Sequence, residues 1–427
     1  MKNWYKLDTA AKVFPSTVEK SESRVFRFYC ELKEPVEPQI LQNAVELALE
    51  DFPYFRLVLC RGMFWYYLER TSLTPVVHQE HETPCSRIYN SERKTLLFSV
   101  TYYKKRINLE IFHVLTDGAG ALAFLKVIVA TYLSLKHHLP KQAIPEKITS
   151  QQEETLADPF TQYSSKQNPR LDRVKLNTYI LRGKRRPFQE LNVIEGVMPV
   201  QDLLALAHQS SATLTEFLIA VLIKSIHMTL KWPNRSKHIV IGVPVNLRNY
   251  FESHTARNFF SIARISYQNK DQNPPLEEIV SFVSQQAKGR INREVLSNQI
   301  NSLRFFETNL PMRIIPLFLK SQGLRFCNFF TKLHTTSALS NMGRITISDI
   351  LDPYISNFGL ISSTISTQIA CCSFENNLTI CFSSALMNTA VIRNFFQILS
   401  DFDLDITINS NMCDKPEVIR RDDLHVL

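Results

Sequence analysis

A polar, proline-punctuated stretch cuts this chain in two. Residues 139–170 read LPKQAIPEKITSQQEETLADPFTQYSSKQNPR, the composition of a linker or surface excursion. Apolar patterning stops before it and restarts after it. A chain of 427 residues is too long for one core and fits two domains of about 200 residues each. The expected division is an N-terminal lobe over 1–168 and a C-terminal lobe over 169–427.

Both halves mix alternating strand patterns with helical spacing. The first half predicts a strand over 23–33 and a helix beginning near 36 and ending near Pro53. Two short strands follow, then a hairpin over 94–113 and an apolar helix over 118–136. The second half predicts strands over 190–198, 238–246, 259–267, 335–339, 367–374 and 377–384. Its helices are expected over 200–209, 213–231, 275–304 and 389–400, with a proline-containing stretch around Pro311 and Pro316. Strands covered by helices in two loosely related halves imply an α+β architecture.

Hydrophobic residues make up 44% and charged residues 21% of the chain, which places it among globular proteins. With only 10 glycines, glycine-dense phosphate loops and many-bladed β-repeats are not expected. The longest apolar runs, ALAFLKVIVATYLSL and FLIAVLIKSI, are interrupted by Lys126 and Lys224. They read as buried helices rather than membrane spans. The N-terminal MKNWYKLDTAAKVF has no apolar core of signal-peptide length, so the expected location is cytoplasmic. The 8 cysteines are scattered, with no C-x-x-C pair and no cluster at ligand spacing. They read as reduced thiols, with no metal site. A net charge of +9 suits acidic ligands. The densest basic run is Arg182, Lys184, Arg185 and Arg186, preceded by Arg170, Arg173 and Lys175. It lacks the aromatic interleaving that stacks bases, so nucleic acid is not an expected partner.

One segment asks for more than packing. EIFHVLTDG, residues 110–118, ends an apolar strand in an imidazole, with an aspartate four residues on and a glycine after it. Each residue has an ordinary explanation: a core histidine, and an N-cap at Asp117 or Thr116 for the following helix. Gly118–Ala123 also satisfies G-x-G-x-x-A, the looser dinucleotide fingerprint. His137, His138, Leu139 and Pro140 stand where its acidic ribose ligand belongs.

Taken together, FHVLTDGAGALAFL resembles the HxxxDG motif of the chloramphenicol acetyltransferase-like superfamily. That group includes alcohol acetyltransferases, wax ester synthases, plant acyltransferases and peptide-synthetase condensation domains. The chain looks most similar to the bacterial alcohol acetyltransferase-like proteins. IGVPVNLRNYF…ARNFF (241–260) and SNMG (340–343) resemble further landmarks, in the same order. Phe112 replaces the first histidine of the HHxxxDG form, the DFGWG motif of plant members is missing, and NFGLIS (357–362) is a partial echo of it.

The resemblance implies two chloramphenicol acetyltransferase-like lobes, each a mixed sheet covered by helices, with a tunnel between them. It implies acyl transfer, with acetyl the expected group, from acyl-coenzyme A as co-substrate to an alcohol-type hydroxyl. His113 would be the catalytic general base, and no permanently bound cofactor is expected. Asp117 would pair with an arginine, for which Arg248 is the candidate, and hold the histidine loop. Gly118 would leave room near the imidazole. Ser340 and Asn341 are candidates for oxyanion or substrate contacts, with a plain turn as the other reading. Asn258 reads as structural. Two alternatives stay open: an N-acyltransferase or condensation-type enzyme using a carrier-protein thioester, and a catalytically silent binding protein of the same fold.

Overall fold

The structure, a computed structural model, describes residues 4–411 except 20, 141–156, 166–176, 188–189, 232–233, 269–270, 272 and 310–313. Most of the 139–170 stretch lies outside the described residues, as do Arg170, Arg173, Lys175, Pro311 and Cys413. The boundary at 168/169 does too.

The first half supplies β1 (Trp4–Lys6), β2 (Val25–Leu32), β3 (Leu57–Arg61), β4 (Tyr66–Arg70), β5 (His78–Gln79), β6 (Phe98–Tyr103) and β7 (Arg106–Phe112). The second half supplies β8 (Asn192–Pro199), β9 (Ile239–Asn246), β10 (Phe260–Tyr267), β11 (Ser337–Arg344), β12 (Ile355–Ser362), β13 (Thr367–Phe374), β14 (Asn377–Ser384) and β15 (Thr407–Ser410). They form a five-stranded sheet ordered β12-β2-β7-β6-β5, a seven-stranded sheet ordered β10-β9-β11-β13-β14-β8-β15, and a small sheet ordered β1-β4-β3. The two large sheets are mixed. β5 pairs with β6 in parallel, as β11 does with β9 and β13, and their other neighbours are antiparallel.

Helix Gly118–His137 lies in the first core, next to helix Pro38–Asp51 and against β2 and β7. It is apolar and long enough to cross a membrane by length and composition, yet its apolar residues from Ala121 to Leu133 are mostly buried. That is the burial expected of a helix apolar nearly all round. Its N-cap is Asp117, whose side chain accepts from the Gly120 N–H, and it ends at a left-handed His138. In the second core, helix Leu214–His227 starts at a capping box formed by Thr213 and Glu216 and packs among β9, helix Leu276–Arg290 and helix Ala390–Ser400.

Three expectations need correction. The helix expected over 275–304 is two, Leu276–Arg290 and Arg293–Thr308, because Asn292 caps a new helix through the Val295 N–H. Helix Leu317–Lys332 occupies a stretch read only as proline-containing. The assignment of all of 169–427 to the second lobe fails for β12, which pairs antiparallel with β2 in the first sheet. Its glycine explains the fit. A Cβ on Gly359 would stand 2.1 Å from the Tyr29 ring, so only glycine lets this strand pass beneath the tyrosine.

Candidate active site

β7 ends at Phe112, and the next residue turns its ring between the lobes. The His113 N–H donates to the Arg24 carbonyl at 3.0 Å, which carries the β2–β7 pairing one residue further. The imidazole stacks on Phe14 with centroids 4.5 Å apart. Phe26 stands 4.9 Å away and Phe260, the first residue of β10, 5.3 Å away. His113 itself remains partly exposed. Burial among these rings lowers its pKa below the usual value. The Asp117 carboxylate opposes that shift, and the Arg24 guanidinium adds to it. A lowered value leaves the ring neutral, and so basic, at neutral pH.

Its tautomer is held by a relay. His113 Nδ1 lies 3.0 Å from Asn258 Oδ1, and Asn258 Nδ2 donates to Asp8 Oδ2 at 3.2 Å. A carboxylate only accepts, so Asp8 turns the amide nitrogen toward itself and leaves the amide oxygen facing the ring. An oxygen there requires a proton on Nδ1. The Nε2 lone pair is then left for an incoming group. Asp8 accepts from the Ala11 N–H at 2.7 Å and lies 3.8 Å from Arg257 Nε. Burial pushes its pKa up to about 6, against the pull of Arg257.

Asp117 faces a different way. Its Oδ2 meets Arg248 Nη1 at 2.7 Å and the Phe259 N–H at 2.8 Å, and its Oδ1 caps the helix through Gly120. Arg248 then donates from Nη2 to the carbonyls of Thr255 and Arg257 at 3.0 and 2.6 Å. The ion pair therefore shapes the loop 255–259, and that loop presents Asn258 to His113. Thr116 Oγ1 donates to the Ala256 carbonyl of the same loop. Gly120 makes room for this contact, since a Cβ there would sit 2.7 Å from the Ala256 oxygen.

Gly118 lies under Met342 of β11, whose sulfur would be 3.1 Å from an added Cβ. The SNMG segment thus reaches the motif through its methionine. Asn341 is occupied elsewhere: it donates to Thr215 Oγ1 at 2.9 Å and accepts from the Gly343 N–H at 2.8 Å. Ser340 is half-buried on the same strand. Burial pushes up the thiol pKa values of Cys30, Cys85, Cys371, Cys372 and Cys381, that of Cys371 to about 12. They are poor nucleophiles. Among the described residues no group of three or more His, Cys, Asp or Glu is placed to hold a metal. A cavity of about 220 Å³ opens beside the start of β2, lined by Ser21, Ser23, Ser363 and Thr364 with Arg185 and Arg186. Glu190, 3.8 Å from Arg186, also faces it.

No family model and no curated protein matches this sequence. Solved structures do match in three dimensions. Trichothecene 15-O-acetyltransferase from Fusarium sporotrichioides aligns at a TM-score of 0.61 and 11% identity over 94% of each chain. Polyketide synthase associated protein 5 from Mycobacterium tuberculosis aligns at 0.59 and 14%, over 92% of this chain and 97% of that one. The starter condensation domain of rhizomide synthetase, in complex with C8-CoA, aligns at 0.59 and 12% over 94% of each chain. The chain has the two-lobed fold of these acetyltransferase and condensation-domain structures.

On this fold the structure gathers His113, Asp117, Gly118 and Arg248 in one place, with β11 and its Met342 alongside. Sequence reasoning missed Asp8, Phe14, Phe26 and Phe260, and it left Asn258 without a contact to the histidine. ARNFF pointed at Asn258 only as a landmark, and nothing local marks Asp8.

Proposed function

We propose that the protein is an acyltransferase that moves an acyl group, acetyl by preference, from coenzyme A to a hydroxyl acceptor. The carrying observation is the half-buried imidazole whose Nδ1 is tied to Asn258 and whose Nε2 is left as base. The acceptor O–H gives its proton to Nε2 as its oxygen attacks the thioester carbonyl. The C–S bond of the tetrahedral intermediate then breaks, and the Nε2 proton goes to the departing thiolate. Ester and free thiol leave, and no covalent enzyme intermediate forms. The low His113 pKa supports base action at neutral pH, where an imidazolium would be idle. Ser340 is the proposed donor to the developing oxyanion, because Asn341 is committed to Thr215 and Gly343. Arg185 and Arg186, in the cavity beside β2, supply cations for the phosphates of the donor. Both reactants would reach His113 through the space between the lobes.

The test is thiol release from acetyl-CoA and longer acyl-CoAs with a panel of alcohols, compared with His113→Ala. Turnover that exceeds the variant's supports the reading. Release only from carrier-loaded thioesters would replace coenzyme A by a carrier protein, and acylation of amines alone would make it an N-acyltransferase. No release above His113→Ala with any donor or acceptor would leave a silent binding protein.

A further inference from the structure

Helix Leu317–Lys332 is amphipathic the wrong way round for a surface helix. Its polar side is the docked side. Lys320 Nζ donates to the Phe64 carbonyl at 3.0 Å, Ser321 Oγ meets Ser16 Oγ at 3.0 Å, and Arg325 Nε donates to the Ser16 carbonyl at 3.0 Å. Asn328 Oδ1 accepts from Arg24 at 2.8 Å, and Lys332 pairs with Glu19 and Glu22 at 2.9 and 2.7 Å. Its apolar side faces outward: Phe318 is 58% exposed, Leu319 52%, Phe326 65% and Phe329 56%. These residues recur at helical spacing and form one stripe.

The stripe continues onto a second element. The β3–β4 hairpin tip is joined to the start of the helix, where the Leu317 N–H donates to the Met63 carbonyl at 2.9 Å. At that tip Met63 is 77% exposed and Phe64 is exposed as well. Single exposed apolar residues are ordinary, but an aromatic stripe with an apolar hairpin tip beside it is not. Cations surround it. Arg61 and Arg325 are exposed, and the ammonium group of half-buried Lys12 lies over the Trp65 ring at 5.4 Å. A protruding aromatic stripe, an apolar loop tip and local positive charge are the features of an element that lies in the headgroup layer of an anionic bilayer. The net charge of +9 adds attraction at longer range.

We infer that helix Leu317–Lys332 and the Met63–Phe64 tip form a membrane-surface docking face for anionic lipid. The surface stands apart from the proposed reaction, but its position bears on it. The helix rests on Phe14–Thr17, whose Phe14 stacks on His113, and its Asn328 holds Arg24, whose carbonyl holds the His113 N–H. If the acyltransferase reading is right, an apolar acceptor or acyl chain dissolved in the bilayer would arrive next to the imidazole.

The experiment is co-sedimentation of the full chain with sucrose-loaded vesicles of phosphatidylcholine alone, or with part of it replaced by phosphatidylglycerol. Wild type is expected to bind the anionic vesicles, and F318S/F326S/F329S is expected to bind them at least about tenfold more weakly. M228S/M387S removes exposed apolar residues elsewhere and is expected to bind as wild type does. Melting temperatures of both variants guard against unfolding, and the F326S/F329S double variant replaces the triple one should that fail to fold. Binding is read without activity, so an inactive enzyme would leave this inference standing. No vesicle binding by wild type overturns it, as does equal binding by the stripe variant. A dimer in solution that the stripe variant makes monomeric, with no vesicle binding, would assign the face to a second copy of the chain.

Discussion

Asp8 and Asp117 are both buried carboxylates of the first lobe, and both reach the loop 255–259 of the second. They are matched differently. Asp117 has a guanidinium at 2.7 Å, a helix N-cap and the Phe259 amide. Asp8 has the Ala11 N–H at 2.7 Å, an amide at 3.2 Å and a guanidinium only at 3.8 Å, and its pKa rises to about 6. The first carboxylate fixes where the loop stands. The second fixes which nitrogen of His113 carries the proton. Position rests on an ion pair, whereas orientation is set by a carboxylate whose pKa burial raises to about 6.

The largest effect expected from this contrast is at Asp117. Asp117→Ala leaves the partly buried Arg248 without its carboxylate, and the Gly120 and Phe259 amides without their acceptor, and should cost about 3 kcal/mol of stability. Activity should go with it, because Asn258 loses its placement. A variant that melts like wild type and turns over normally would end the positional role. His113→Ala comes next. Turnover should fall about 10²–10⁴-fold with the melting temperature kept, so a comparable loss of stability would make His113 a packing residue.

Asp8→Asn should separate the two carboxylates. Its amide nitrogen now faces Asn258, which turns its oxygen toward it and its own nitrogen toward the ring. The proton moves from Nδ1 to Nε2, and the base is blocked. The expected loss in kcat is about ten- to a hundredfold with KM nearly unchanged, and ¹⁵N chemical shifts of His113 report the exchanged tautomer. Unchanged shifts would show that Asp8 does not direct the relay. Stability should respond in the opposite sense to Asp117→Ala. A carboxylate raised from 3.8 to about 6 binds its proton more tightly folded than unfolded, so it destabilises the fold above pH 6 and is relieved between pH 6 and 4. The melting temperature of Asp8→Asn relative to wild type should therefore be higher at pH 8 than at pH 5.

The smallest effect is on the pH profile. Protonation of His113, below its usual range, and of Asp8, near 6, both lower kcat/KM on the acid side. Wild type should lose activity there more steeply than a single titration allows, and Asp8→Asn should follow one.

What the sequence showed of this site was what is local in the chain. His113, Asp117 and Gly118 stand within one strand-to-helix corner, where apolar spacing breaks and capping chemistry begins, and PVNLR offered one arginine at a strand end. Asp8 and Asn258 lie far from His113 in sequence, and only the sheet order and the Arg248 clamp bring them together. The misreading of β12 has the same origin. No strand was expected over Ile355–Ser362, and the clue to its sheet, Gly359 beneath Tyr29, needs both partners in view. Helix Leu317–Lys332 escaped because its apolar face points away from the core, so its spacing has nothing to agree with.

The strand swap of β12 has a consequence for how the chain is made. The edge of β2 that β12 covers stays open while the whole of the second half up to Ser362 is being synthesised. At roughly 5–20 residues per second that interval is on the order of tens of seconds. The nascent first lobe thus waits with an unsealed sheet border, and synthesis of β12, rather than completion of residue 168, is what closes it.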